Sequence, residues 1–322
     1  MKRKIGVLVL SFLVIYLFNF SIPRLMPGDP FAYNSADASE NVDTEMSREQ
    51  KEYMRAYYGM DQPLHQQLLR TVKENLRGDF GQSIHYKRPA AEVIRERLPW
   101  TAFIMTTTLV LSLVIGVVLA LWCIRSPRAD RAVYGVCSFV SEIPSYLVGI
   151  LLLFLVAARV KWIPLSGAVT AFARYDSTWQ WVGDVLTHAF MPITAMCIFT
   201  IPKFYFTARA SFQTVLSKPY MLCAKSRGLR EWRIRWRYIL VNGITPIVAR
   251  LFLSVGSAIG STMLIENVFA YPGLGTVMRE SVQYRDYVMI QDIFLLSAVM
   301  VLVSLFVADL LNMAADRGEG NR

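Results

Sequence analysis

The feature that most constrains this chain is the gathering of its apolar residues into six long runs, at about residues 5–23, 100–124, 134–158, 185–207, 244–266 and 288–311. A helix that crosses a bilayer needs roughly 20 mainly apolar residues at about 1.5 Å each. Inside lipid every backbone polar group must find its partner within the protein, which leaves helices or a closed barrel. Runs of this length without two-residue alternation select helices. The second run is the cleanest, with no charge between Trp100 and Ile124. The expected fold is an all-α membrane protein with six transmembrane helices. The composition agrees, at 54% hydrophobic and 18% charged residues, against about 45–50% and 25% in soluble domains.

The formal charge of +10 could suit nucleic acid, but its placement argues otherwise. The cations lie in short segments beside apolar runs, as the positive-inside rule requires, and not on one phosphate-binding face. Lys2, Arg3 and Lys4 open the chain, and Arg125, Arg128 and Arg131 face one acid, Asp130. Eight Lys or Arg between Arg209 and Arg237 face only Glu231. With six spans these three segments share one side, so both termini are expected in the cytoplasm. The uncharged run Ile5–Pro23 exceeds a signal-peptide core and no small-x-small cleavage site follows, which reads as a retained anchor helix.

The boundaries follow. Residues 1–23 are a tail and first span. Residues 24–99 are an extracytoplasmic helical insert between spans 1 and 2, with eleven Lys/Arg against twelve Asp/Glu. Residues 100–311 form a five-helix core with a cytoplasmic loop at 209–240, and 312–322 a cytoplasmic tail. Within the insert, Ser47-Arg48-Glu49-Gln50 is a capping box and Gly59 a stop for one helix. A second is expected from Pro63 to Arg77, with Leu64, Leu68, Val72 and Leu76 on one face and Gly78 as its stop. A third starts at Pro89, with Val93, Ile94 and Leu98 on one face.

Several chemistries find no support. No GxxxxGK[ST] loop is present, so the chain is not expected to hydrolyse ATP. There is no GxSxG elbow and no HExxH, and Cys123, Cys137, Cys197 and Cys223 form no CxxC pair. Asp292 and Asp309 fall near opposite ends of one span and cannot meet as a catalytic pair. No catalytic residue, metal ligand or cofactor is expected in this chain.

Two segments invite function. In the inner loop, Ala224 and Gly228 stand one helical turn apart, and on a helix they would share a face open to close approach. Tyr220, Lys225 and Leu229 surround them, Trp232 and Trp236 follow one turn apart, and the segment runs to Pro246. On physical grounds, docking to a partner protein and an amphipathic helix lying on anionic lipid are equally supported. The outer segment Tyr271-Pro272-Gly273-Leu274-Gly275 suggests a rigid turn followed by a flexible one, able to cap a translocation path or simply to re-enter the membrane. Gly256 and Gly260 make a GxxxG pattern, more often a helix-packing face than a substrate site. Glu142, Arg250, Glu266, Asp292 and Asp309 are ionisable residues within spans, costly unless paired or facing water.

The motifs of the whole chain resemble one family. Pro27-Gly28-Asp29-Pro30, Tyr58-Gly59-Met60-Asp61-Gln62-Pro63-Leu64, Gly78-Asp79-Phe80-Gly81-Gln82-Ser83 and Glu96-Arg97-Leu98-Pro99 with Thr101 are similar to signatures of dipeptide and oligopeptide permeases of ABC importers. So are Ile143-Pro144-Ser145, Trp162-Ile163-Pro164, Ser166-Gly167, Glu266–Gly275 and Arg285-Asp286-Tyr287. Ala224, Gly228 and Pro246 match the EAA loop, while Leu222, Ser226, Phe206 and Arg250 depart from the pattern. The order holds from about residue 5 to 317. The resemblance implies a type I importer permease fold in the bacterial inner membrane, without catalysis of its own. It implies a second homologous permease, two cytoplasmic ATPase subunits that bind ATP and Mg, an extracytoplasmic solute-binding protein, and no nucleic acid. Tyr220, Ala224, Lys225, Gly228, Leu229 and Pro246 would form the ATPase-coupling loop, and Tyr271, Pro272, Gly273 and Gly275 an outer gate. Permeases of this appearance carry peptides, nickel or its chelates, glutathione and opine-like solutes. A secondary transporter, the rival reading, usually needs two related halves, and the six runs here do not repeat.

Overall fold

In the computed structural model, residues 2–26 and 48–320 are described. Pro27-Gly28-Asp29-Pro30 and the cap Ser47 lie outside them. Among the described residues the regular structure is all helical, with no strand beyond an isolated bridge between Gln82 and Pro89. Among the described residues five helices are long and apolar enough to cross a membrane, or six if one bent pair counts as a single span.

Two compact units are present, Met1–Pro99 with Gly273–Val299 and Trp100–Pro272 with Met300–Arg322. In the first, α1 (Lys2–Leu25) is the first span. Two short helices follow, α2 (Arg48–Tyr57) and α3 (Leu64–Leu76). Pro63 precedes the first turn of α3, where a missing N–H costs nothing. The apolar stripe of α3 is not sealed in a core. Val72 and Leu76 line an apolar groove of about 730 Å³ with Phe12, Leu13 and Leu295.

The third helix of the insert begins where expected but does not stop. α4 (Ala90–Cys123) runs through Pro99 into the second span. At 34 residues it is about 51 Å long, well beyond a hydrocarbon core of about 30 Å.

The second unit is organised on α7 (Thr178–Leu216), which packs against α5 (Pro127–Ser141), α6 (Ser145–Ala157) and α9 (Glu231–Val268). The expected straight third span is instead the pair α5 and α6, bent by 94°. Pro144 explains the break: it lacks an N–H, and its ring and the restricted Ile143 disfavour continuing the helix. α6 ends in a π-helical turn over Leu153–Ala157, and α9 carries another over Ile234–Leu240.

Close helix approach rests on glycines other than the GxxxG pair. A Cβ at Gly116 would lie 2.8 Å from Phe204 Cβ and 2.9 Å from the Tyr205 backbone N, so α4 and α7 touch there. A Cβ on Gly256 would lie 3.4 Å from the Val301 side chain, and one on Gly260 would meet nothing within 4 Å. The packing face expected at Gly256 and Gly260 is thus at most half formed within this chain. The remaining elements are α8 (Pro219–Ser226), α10 (Leu274–Gln283) and α11 (Tyr287–Gly320).

Candidate functional site

The inner loop does not carry Ala224 and Gly228 on one helix, as their spacing suggested. α8 ends at Ser226, and Gly228 adopts φ +65° just beyond it, its N–H bonded to the Lys225 carbonyl at 2.9 Å. A glycine in the left-handed region is the usual helix stop. Ala224 and Gly228 therefore do not share a helix face. Ala224 is buried against the chain itself, as is Met221, while Tyr220, Leu222 and Lys225 point outward. Leu229 is half-buried on the same core as Met221 and Ile234. The surface on offer is thus the outer face of α8 and the exposed Trp232, not the small residues. Trp232 and Trp236 lie one turn apart on α9, with ring centroids 6.3 Å apart. Pro246 is no part of this loop: it sits inside α9, exposed, in the wall of a cavity.

An ion pair missed in sequence holds the base of this region. Arg209 on α7 donates to both carboxylate oxygens of Asp130 on α5, at 2.7 and 2.6 Å. The Tyr205 hydroxyl adds a third bond to Asp130 at 3.0 Å, and the Arg209 guanidinium lies 5.0 Å from the Tyr134 ring centroid. This fork-to-fork geometry is the strong form of the pair. In sequence Asp130 counted only as the lone acid of a basic loop.

The outer segment is packed, not loose. Tyr271 is fully buried, with its ring edge-on to Trp100 at 5.8 Å and its N–H on the Glu266 carbonyl at 2.8 Å. Burial pushes its phenol well above the ordinary range, and the Glu266 charge adds to this. Gly167 donates its N–H to the Phe269 carbonyl at 3.0 Å, which joins two of the sequence motifs. The left-handed residue here is Ala270, with φ +46°. Gly273 is instead extended, at φ −99° and ψ −167°, leading into α10, and Gly275 is buried in the first turn of α10. The expected flexible glycine turn after Pro272 is absent, because helix entry consumes both glycines.

In the first unit two further motifs meet. Asp286 is fully buried and accepts from Ser83 Oγ at 2.5 Å and from the His85 N–H at 3.0 Å. Its other oxygen accepts from the Met289 N–H at 3.1 Å, which caps the first turn of α11. His85 stacks on Tyr284 at 3.9 Å, and Tyr86 donates to Glu280. Burial and the Glu280 carboxylate raise the Tyr86 phenol well above its usual value. Tyr58 is pushed up to about 12 by burial and the Asp286 charge. Asp292, one turn into α11, is buried and lines the apolar groove.

A further cavity lies in the second unit. It measures about 670 Å³ and is lined by Glu142, Lys203, Phe206, Thr207, Pro246 and Arg250, among others. Glu142 stands at the break between α5 and α6, and Lys203 and Arg250 lie within the spans of α7 and α9. Lys203 was overlooked in sequence because an apolar run surrounds it.

The comparisons with known proteins agree with this architecture. Residues 112–319 match the family described as binding-protein-dependent transport system inner membrane component. The chain is 28% identical over 306 residues to the oligopeptide transport system permease protein AppB of Bacillus subtilis (strain 168), covering 94% of this chain and 93% of the relative. It is 30% identical over 311 residues to the glutathione transport system permease protein GsiC of Escherichia coli (strain K12), covering 95% and 94%. The GsiC protein of Salmonella paratyphi A is 30% identical over 312 residues with the same coverage. Matching spans, motif order and near-full coverage place the chain in the family of inner membrane components of binding-protein-dependent transport systems, as a multi-pass permease subunit of an ABC importer.

Proposed function

We propose that this chain forms half of the translocation path of an inner-membrane importer for peptides or similar small solutes such as glutathione. It pairs with a second homologous permease, and two cytoplasmic ATPase subunits bind ATP and Mg and do the hydrolysis. An extracytoplasmic binding protein delivers solute to the outer face. The chain itself carries no cofactor and no catalytic group. Both termini face the cytoplasm, and 24–99 is extracytoplasmic. The charge asymmetry supports this orientation, since Arg209–Arg237 carries eight cations against Glu231.

The observation that carries the coupling role is the outward face of α8. Met221 and Ala224 anchor this short helix inward, leaving Tyr220, Leu222 and Lys225 exposed beside Trp232. Docking there transmits ATPase closure through Leu229 and Ile234 to the core beneath, and through the Asp130–Arg209 pair to α5 and α7. The mechanism is alternating access. The packed segment Tyr271, Pro272, Gly273 and Gly275 acts as a rigid outer gate, moved as a body with its helices.

Reconstitution in liposomes tests this reading. ATP-dependent uptake of a labelled dipeptide or glutathione is expected only with both permeases, the ATPases and the loaded binding protein present. ATP-independent uptake by this chain alone would overturn it.

A further inference from the structure

The cavity between α5, α7 and α9 holds an unusual set of charges for the inside of a membrane protein. Lys203 and Arg250 project from two different spans, and Glu142 sits at the helix break, so the walls carry two cations and one anion. Ionisable groups at membrane depth are costly, and those that remain pair with one another or line a pathway. No ion pair joins these three among the described residues. Lys203 Nζ instead makes a long 3.4 Å contact with Ser257 Oγ and lies 4.0 Å from the Phe199 ring centroid. The buried Nε of Arg250 has no hydrogen-bond partner among the described residues. Helix breaks at membrane depth are tolerated where they line a water-filled cavity, and transporters place their solute sites at such breaks. Here the break at Pro144 brings Glu142 to the same wall.

We infer that the Glu142, Lys203 and Arg250 cavity is a solute-contact site on the path, complementary to small solutes that carry two carboxylates and one ammonium. This deepens the importer reading and rests on it. Lys203 and Arg250 each take a carboxylate, Arg250 as a planar fork and Lys203 as a point charge. Glu142 takes the ammonium. Phe206 and Pro246 supply apolar wall. A dipeptide with an acidic side chain satisfies the set, whereas one with a basic side chain leaves a cation facing cations.

The test uses the assembled complex of both permeases, ATPases and binding protein. In a Cys223→Ser background, Thr207→Cys places a thiol in the cavity wall, since the other cysteines are buried. The rates of its reaction with a sulfonate-bearing and a trimethylammonium-bearing methanethiosulfonate are compared. The anionic reagent is expected to react faster, and Lys203→Gln with Arg250→Gln to lower the rate ratio about tenfold. In the second arm, uptake of Ala-Glu, Ala-Ala and Ala-Lys is followed. Lys203→Gln or Arg250→Gln is expected to reduce Ala-Glu uptake about tenfold more than Ala-Ala uptake, with Lys203→Arg restoring much of it and Arg250→Lys only part, since an ammonium cannot replace the fork. An unchanged reagent ratio, or equal loss of all three peptides, would overturn the site. So would loss of the second permease from the complex carrying Lys203→Gln and Arg250→Gln, because the cations would then serve assembly. Failure of the wild-type complex to take up any peptide would instead sink the importer reading, and the reagent ratio would still decide the cavity.

Discussion

Ser83 donates its hydroxyl to the carboxylate of Asp286 at 2.5 Å, across 203 residues of sequence. The same carboxylate oxygen takes the His85 N–H, and its partner oxygen caps the start of α11. One buried acid therefore ties the segment before α4 to the start of the last span. Hydrogen bonds to a buried charge contribute about 1.5–3 kcal/mol, and orphaning the buried partners costs more than a lost average bond. Asp286→Ala is expected to destabilise the purified complex by about 3 kcal/mol or more, and Ser83→Ala by about 1–2 kcal/mol. Thermal unfolding midpoints of the two variants in detergent check the order. Unaltered midpoints for Asp286→Ala would contradict the tie.

The Asp130–Arg209 pair predicts coupling of a smaller size. Both side chains are partly exposed, at 23% and 28%, so solvent screens them. A double-mutant cycle with Asp130→Ala and Arg209→Ala is expected to show less than additive loss, with a coupling of about 1 kcal/mol. Additive effects would mean that α5 and α7 are held there by packing alone.

Glycine substitutions separate the two packing ideas. Gly116→Ala forces its Cβ against Phe204 and the Tyr205 backbone, a clash of about 1–3 kcal/mol. Gly260→Ala meets nothing within 4 Å in this chain. The yield of monodisperse protein from membranes is expected to fall for Gly116→Ala and to hold for Gly260→Ala. The reverse order would restore the GxxxG face as the main contact.

Much of this was legible before the fold. Span positions follow from apolar length alone, but the apolar length of the run 134–158 outweighed the breaker signal of Pro144 inside it. Gly228 was read as a contact glycine, yet its place after Ser226 makes it a stop, a choice that local sequence leaves balanced. The Ser83–Asp286 bond was beyond reach, because a pairing at such separation leaves no period or spacing to follow. An Asp directly before an apolar run is nonetheless an N-cap signal that pointed to Asp286. Lys203 was lost inside an apolar run whose average hydropathy hides one charge.

The orientation is open to a direct chemical check. Lys73 is exposed on α3, and native Cys223 is exposed on α8. In intact cells, Lys73→Cys is expected to react with an impermeant thiol reagent while Cys223 reacts only after permeabilisation. Labelling of Cys223 in intact cells would reverse the topology.

The central claim is that α8 docks the ATPase, and Leu222 is the residue to change. Substitutions at Gly228 carry backbone strain because of its φ of +65°. Leu222, at 70% exposed, can change without disturbing the core. Leu222→Asp is expected to leave insertion and pairing with the second permease intact. It is also expected to cut ATPase recovery on co-purification at least about tenfold, equivalent to about 1.4 kcal/mol, and to abolish uptake. A helix that merely lies on lipid predicts a weakened membrane contact and no effect on the ATPase. Full ATPase recovery with normal uptake by Leu222→Asp would contradict the account.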